Sequence, residues 1–327
     1  MLLTGGTGYI GAHVLDVLRN RGCEVVVADD VVTGKLSRIG DVPLVRTDLS
    51  DPGAEELLTR AFREYHTEAV VHLAARKQVP ESVSRPGWYY RQNLVSLDSV
   101  LRAMKMTGVR DFVYSSSAAV YGKVASESVR EDDPTAPINP YGETKLIGEW
   151  VIRNAASEGW LNPLALRYFN VAGAARTELA DTAVLNLIPM VFEKIDGNAA
   201  PEIFGDNYST PDGTCVRDFV HVSDLAEAHV TALDALVAKS VPSLAYNVGT
   251  GNGYSVRQVI EEIARVAKHD LRAVISPARV GDPAQVVANV SRIHEELGWA
   301  SRLGLRDIVS SAWLAHSDST SENNPDQ

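Results

Sequence analysis

The sequence predicts an α/β protein: a Rossmann-type doubly wound parallel sheet with a smaller C-terminal lobe. Three observations carry that expectation. Short apolar, β-branched runs alternate with amphipathic stretches of helix length, the pattern of a parallel sheet covered by helices on both faces. A glycine-rich turn, TGGTGYIG (4–11), follows the first run and opens a helix. The second run ends on an acidic pair, Asp29-Asp30.

Taken in order, the strand runs are LLT (2–4), EVVVAD (24–29), PLVRT (43–47), AVVHLA (69–74) and DFVYSS (111–116), with helix-length segments between them. Helices near 88–107 and 140–157 are expected on one side of the sheet. The pattern weakens after about residue 170, where turns such as FGDNYSTPDGT (204–214) and YNVGTGNGYS (246–255) interrupt shorter elements. We therefore expect a sheet domain over 1–168 and a less regular lobe over 169–315, with segments crossing back. The end, HSDSTSENNPDQ (316–327), has almost no apolar side chains to offset the entropy of ordering and reads as a loose, disordered tail.

Composition narrows the function classes. Apolar residues make up 45% of the 327 and charged residues 22%, ordinary for a globular protein with a full core. A net charge of −11 opposes a phosphate-rich polymer, so nucleic acid is not an expected partner. No run of 18 apolar residues predicts a membrane span, and the N-terminal stretch lacks a basic leader. Two widely separated cysteines, Cys23 and Cys215, suggest neither a metal site nor a disulfide framework. A cytoplasmic setting is the expectation.

Gly5, Gly8 and Gly11 recur at three-residue intervals. The first permits a tight turn, the second lets backbone amides approach a pyrophosphate at a helix N-terminus, and the third allows close packing. Spacing alone equally fits a plain turn. The strand–loop–helix context and Asp29, placed where a carboxylate holds ribose hydroxyls and repels a 2′-phosphate, favour an NAD site. The alternative for Asp29 and Asp30 is that they only begin a turn.

In NPYGETKLIGEW (139–150), Tyr141 and Lys145 stand four residues apart on a predicted helix and share a face. A nearby ammonium favours phenolate and lowers the tyrosine pKa toward the range of a useful base; a surface pair is the plain alternative. Upstream, VYSSSAAVYG (113–122) puts hydroxyls at the end of a strand, where a doubly wound sheet has its ligand crevice. Ser117 is placed to bind the hydroxyl that Tyr141 deprotonates, whereas a turn or capping role suits Ser115 and Ser116.

Together with HLAARKQVPES (72–82), SSSAAVYG (115–122), LRYFNVAGA (166–174), FGDNYSTPDGTCVRDFVHV (204–222) and YNVGTG (246–251), these motifs resemble the UDP-galactose/UDP-glucose 4-epimerases of the extended short-chain dehydrogenase/reductase class. The likeness runs from about residue 1 to about 300. It implies a bound NAD and a reaction that is redox-neutral overall. Tyr141 takes the proton of the sugar 4-hydroxyl, Ser117 orients that hydroxyl, and Lys145 holds nicotinamide ribose and biases Tyr141. Further cofactor contacts implied by resemblance are Tyr9, Ile10, Asp48, Leu49, Leu73, Ala74, Ala75, Lys77, Asn93 and Phe169. For the UDP-sugar it implies Lys77 again, Asn170, Asn186, Leu187, Glu202, Ile203, Phe204, Arg217, Arg279 and Asp282, in a substrate-binding lobe. Arginine suits diphosphate because its planar fork binds oxygens in pairs; a structural pairing of Arg217 with Asp218 or Asp224 is the alternative. The family also dimerises through the helices near 88–107 and 140–157.

The sequence departs from that family at several points. Ala119 replaces a usual threonine, the 174–185 stretch AARTELADTAVL is short, and Leu185 replaces an asparagine. Val286 occupies a position that often carries tyrosine, so either the wall admits a 2-acetamido group or Val286 is plain core. Rival functions are a nucleotide-sugar 4,6-dehydratase, which needs carboxylates where Ala118 and Ala119 stand, a non-catalytic NAD sensor, and an epimerase of another UDP-sugar.

Overall fold

In the computed structural model, residues 1–123, 128–279 and 281–322 are described, with side chains to Asp318. The first half alternates strand and helix: β1 (Leu2–Thr4), α1 (Tyr9–Asn20), β2 (Val26–Asp29), β3 (Leu44–Arg46), α2 (Ala54–Glu64) and β4 (Ala69–His72). It continues through α3 (Val79–Ser84), α4 (Pro86–Tyr90), a wide turn over 91–95, α5 (Ser96–Thr107), β5 (Asp111–Ser117), α6 (Pro140–Ser157) and β6 (Asn162–Tyr168). The remainder holds β7 (Asn170–Ala172), α7 (Leu187–Asp196), β8 (Glu202–Phe204), β9 (Val216–His221), α8 (Val222–Val237) and β10 (Ala245–Val248). After these come β11 (Gly253–Ser255), α9 (Val256–Ala267), β12 (Val274–Ser276), β13 (Gln285–Val286), α10 (Ser291–Leu297) and α11 (Leu305–Glu322).

Seven parallel strands form one sheet in the order β10-β6-β5-β4-β1-β2-β3. Successive strand residues face opposite sides, and both sides are dry, which is why the strands read as unbroken apolar runs. Leu3, Val27, Val71 and Val113 pack with Val14, Leu15, Leu225 and Leu233 of α1 and α8. Their neighbours Leu2, Val26, Val70 and Phe112 pack with Leu58, Leu97, Val100, Met104 and Ile152 of α2, α5 and α6. The helices near 88–107 and 140–157 thus cover the same face.

Chain order reverses between β1 and β4, and a crevice opens there beyond the strands' carboxyl ends. Past residue 168 the sheet still gains β10 and the covering helix α8, while the other late strands form two small sheets, β11-β9-β13 with β7 beside β9, and β12-β8. Their core joins Ile188, Phe192, Ile203, Phe219, Val259, Ile263 and Ile308.

The loose tail expected from residue 316 is corrected in its first half. Helix α11 runs on to Glu322, because His316 pairs with Asp196 at 2.9 Å and lies against Phe192 and Trp313, and Asp318 accepts from the Thr177 hydroxyl at 3.0 Å. These partners come from distant segments that local composition does not reveal. Residues 323–327 lie outside the described residues.

Candidate active site

The glycine turn forms a cradle. Gly5 has φ +71°, and a Cβ on Gly11 would stand 2.1 Å from the Gly5 carbonyl, so a side chain at Gly11 would push the turn apart. Helix α1 starts at Gly8 with neither a side-chain cap nor an acidic residue in its first turn, leaving the positive end of its dipole for an anionic group. Asp29, at the end of β2, accepts from the Thr7 amide at 3.0 Å and the Val31 amide at 2.8 Å. It therefore does serve a turn, and the same bonds orient its carboxylate beside the cradle. These residues suit a dinucleotide.

The segment after β4 closes the other side. A Cβ on Gly5 would lie 2.8 Å from the Ala74 nitrogen, so Leu73, Ala74 and Ala75 run against the turn. Asn93 gives both amide hydrogens away, at 3.1 Å to the Arg76 carbonyl and 2.9 Å to the Thr144 hydroxyl, and accepts from the Arg76 amide at 2.8 Å. Its side chain braces this segment. Lys77 is exposed beside it. Burial pushes the Asp48 carboxyl up, but bonds from Ser50 and Gln92 and the nearby Arg76 charge hold it below its ordinary value; Leu49 next to it is buried. Ile10 packs against the core. The buried Tyr9 hydroxyl donates to the Gly173 carbonyl at 2.6 Å.

Ser117, Tyr141 and Lys145 come together at the crevice. Asn139 caps α6 by accepting from the Gly142 amide at 2.9 Å, and Pro140 takes the first turn, so NP starts the helix where Tyr141 clears the strand ends. Lys145, 3% exposed, donates to the Ser115 carbonyl at 2.7 Å and lies 5.9 Å from the centre of the Tyr141 ring. Burial alone lowers it to about 7.

Burial works against the expected acidic tyrosine. Burial raises the Tyr141 pKa, and a hydrogen bond with Ser117 only partly offsets this. Both groups are enclosed, so desolvation penalises phenolate and ammonium alike. The turn or capping role expected of Ser115 and Ser116 is corrected. Strand β5 runs through Ser117; Ser115 meets His229 at 3.1 Å and Ser116 donates to Glu149 at 2.5 Å inside the sheet, while Ser117 is the capping residue, accepting from the Ala119 amide at 3.2 Å.

On the lobe side Arg217 does not pair with Asp218 or Asp224. It stands 3.8 Å from Asp282 and donates to its neighbour's carbonyl, while Asp218 caps the Thr250–Gly251 turn and Asp224 accepts from the amides of Arg302 and Leu303. Asp282 donates its amide to the Arg279 carbonyl, Arg279 lies 3.9 Å over the Phe204 ring, and Val286 is the register partner of Arg217. Val286 also packs against the apolar cluster that includes Val120 and Phe169, as Ala118 does.

The other predicted residues are spread over β7, the start of α7 and β8. Asn186 precedes Leu187 at the start of α7 and donates to Asp181 at 3.1 Å. Glu202 accepts from Ser276 at 2.9 Å and stands 3.8 Å from Lys194. Ile203 is core, and Asn170 is exposed in β7.

Sequence reading missed two networks. Glu149 binds Arg167 at 2.8 and 2.6 Å as well as Ser116; its place four residues after Lys145, on the same helix face, was the available signal. Arg76 binds Asp30 and Gln92, and Gln92 binds Asp48 at 3.1 Å and Ser50 at 2.6 Å.

A model of the NAD-dependent epimerase/dehydratase family matches residues 1–249. The chain is 45% identical to the UDP-glucose 4-epimerase of Azospirillum brasilense over 95% of this chain and 90% of the other. It belongs to the UDP-glucose 4-epimerase family. Among solved family structures, the Bifidobacterium longum UDP-glucose 4-epimerase in complex with NAD+ and UDP matches with a TM-score of 0.88 and 35% identity, over 98% of each chain. The UDP-Glc/GlcNAc 4-epimerase of Campylobacter jejuni matches with a TM-score of 0.84 and 36% identity, over 97% of this chain and 98% of that one. In this family member, the described residues hold no group of three or more His, Cys, Asp or Glu able to bind a metal, and no helix long and apolar enough to cross a membrane.

Proposed function

We propose that the chain inverts carbon 4 of a UDP-hexose, converting UDP-glucose and UDP-galactose. The observation that carries this reading is the convergence of Ser117, Tyr141 and Lys145 at the carboxyl end of β5, on the same edge of the sheet as the glycine turn after β1 and Asp29 at the end of β2. Bound NAD supplies the hydride acceptor and, later, the donor. Tyr141 takes the proton of the 4-hydroxyl and returns one after the 4-ketose has turned. Ser117 orients that hydroxyl. Lys145, its ammonium anchored on the Ser115 carbonyl, supports the phenolate whenever it is charged. Arg217 and Arg279 bind diphosphate, with Phe204, Asn170, Asn186, Leu187 and Asp282 around the nucleotide, and residues 169–315 do most of this work.

Replacing Tyr141→Phe is expected to cut epimerisation about 10²–10⁴-fold with NAD still bound, measured by resolving the C4 epimers and the released dinucleotide. A fully active variant would overturn the assignment.

The place of Val286 against the apolar cluster that holds Phe169, and next to Arg217 in strand register, supports a sugar pocket walled by a small residue, so we include UDP-GlcNAc and UDP-GalNAc as substrates. Val286→Tyr should then depress turnover of the acetylated sugars more than that of the plain ones; unchanged discrimination counts against it. Ala118 and Ala119 offer no carboxylate for a dehydratase. The exposed Val95, Trp150 and Val151 on the α5–α6 side support a homodimer there. The two free cysteines support a cytoplasmic location.

A further inference from the structure

This inference rests on the reading of NAD as cofactor and concerns how the site selects it. The strand order β4-β1-β2 places the segment after β4 and the end of β2 on opposite flanks of the glycine turn. One ion pair spans that gap. Arg76 reaches Asp30, with side chains only 16% and 22% exposed. The guanidinium is held in place: its Nε donates to Gln92 at 2.9 Å, and the Arg76 amide donates to Asn93 at 2.8 Å. Asp30 has one other bond, accepting from the Val32 amide at 3.0 Å. Asp29, beside it, is held by two backbone amides.

The ribose of a dinucleotide's adenosine half sits against the carboxylate that ends the second strand. A 2′-phosphate there would meet Asp29 at once. A pre-set arginine fork is what recognises phosphate elsewhere, and Arg76 lies at that end of the crevice with its charge already matched by Asp30. We propose that the Asp30–Arg76 pair is a determinant of dinucleotide choice: Asp30 occupies the guanidinium that would otherwise take a 2′-phosphate, so the pair reinforces Asp29 in excluding NADP. The plain alternative is a fastening that merely steadies residues 76–78. Only a selectivity pair would change its dinucleotide preference when the Asp30 charge is removed.

Asp30→Asn deletes that charge and keeps an oxygen for the Val32 amide. The protein is equilibrated with equal NAD and NADP to constant composition, passed through gel filtration, and the dinucleotides released by acid are counted. The preference for NAD is expected to fall about tenfold or more in Asp30→Asn, and Arg76→Leu added to it should restore the loss. Asp30→Ser, which also keeps an acceptor for Val32, gives the same measurement if the first variant fails to fold. An unchanged ratio in a folded variant, or a gain for NADP that survives loss of Arg76, overturns the proposal. Wild type retaining neither dinucleotide would instead overturn the cofactor reading itself.

Discussion

At the residue scale, Tyr141 shows a conflict between proximity and burial. A lysine one helical turn away argues for an acidic phenol, yet enclosure raises Tyr141 and lowers Lys145 to about 7. A lysine at that value is largely neutral above pH ~7 and then lends no field to the phenol. In protein stripped of dinucleotide, the phenolate absorbance present in wild type and missing from Tyr141→Phe should therefore titrate above the ordinary value of 10. A midpoint below about 8 would mean that the ammonium outweighs burial after all. The spacing in NPYGETK revealed which residues meet, because helix geometry is local. It did not reveal the sign of the shift, which depends on how many distant segments close over the pair.

At the element scale, the register of α6 against β5 is what keeps Tyr141 and Lys145 in reach of Ser117. Glu149 fixes it, joining Ser116 of β5 to Arg167 of β6 while itself 4% exposed. Arg167 also donates to the Tyr121 hydroxyl at 2.9 Å and the Glu131 carbonyl at 3.0 Å. Removing one partner strands the other charge in a dry interior, so Glu149→Ala should cost about 3–5 kcal/mol in urea unfolding. A loss under about 1 kcal/mol would show that water already reaches the pair. Strands β1 to β5 of the large sheet were legible as short apolar runs, whereas β6 was not delimited and β10 falls in the 246–255 stretch that reads as a turn. Strands β7, β8 and β11 to β13 were not delimited beyond the 202–204 stretch, since two or three half-exposed residues carry no period and their partners are far away in sequence. Arg76 and Asp30 are separated by 46 positions and meet only through strand order, which no local motif encodes.

At the scale of the whole molecule, acid should be damaging for a definable reason. His13, His72 and His229 are buried, and burial lowers them to about 4, 3 and 4. Each folded pKa lies below the ordinary 6.5, so between the two values the unfolded chain binds more protons. Their contribution is intact above pH ~6.5 and is lost as pH falls toward the folded values. Near pH 5 that is about 2 kcal/mol for each, a large share of a typical 5–15 kcal/mol stability. Calorimetry from pH 7 to 5 should show a steep fall in Tm, and His229→Gln should flatten part of it. A flat Tm over that range would contradict the burial of these rings.

The stretch from Gly173 to Ala180 belongs by sequence to the substrate side, yet its fastenings lie on the dinucleotide side. Tyr9 holds the Gly173 carbonyl, His13 accepts from the Ala175 amide at 3.1 Å, Asp16 pairs with Arg176 at 2.9 Å, and Arg38 donates to the Ala180 carbonyl at 2.5 Å. Three of the four come from one face of α1. Anyone transplanting a relative's version of this segment to redirect sugar choice would thus deprive Asp16 of Arg176, and would keep the other three fastenings, which end on backbone groups, only where the new backbone follows the same path. A successful graft has to bring the matching residues of the first helix along with the loop.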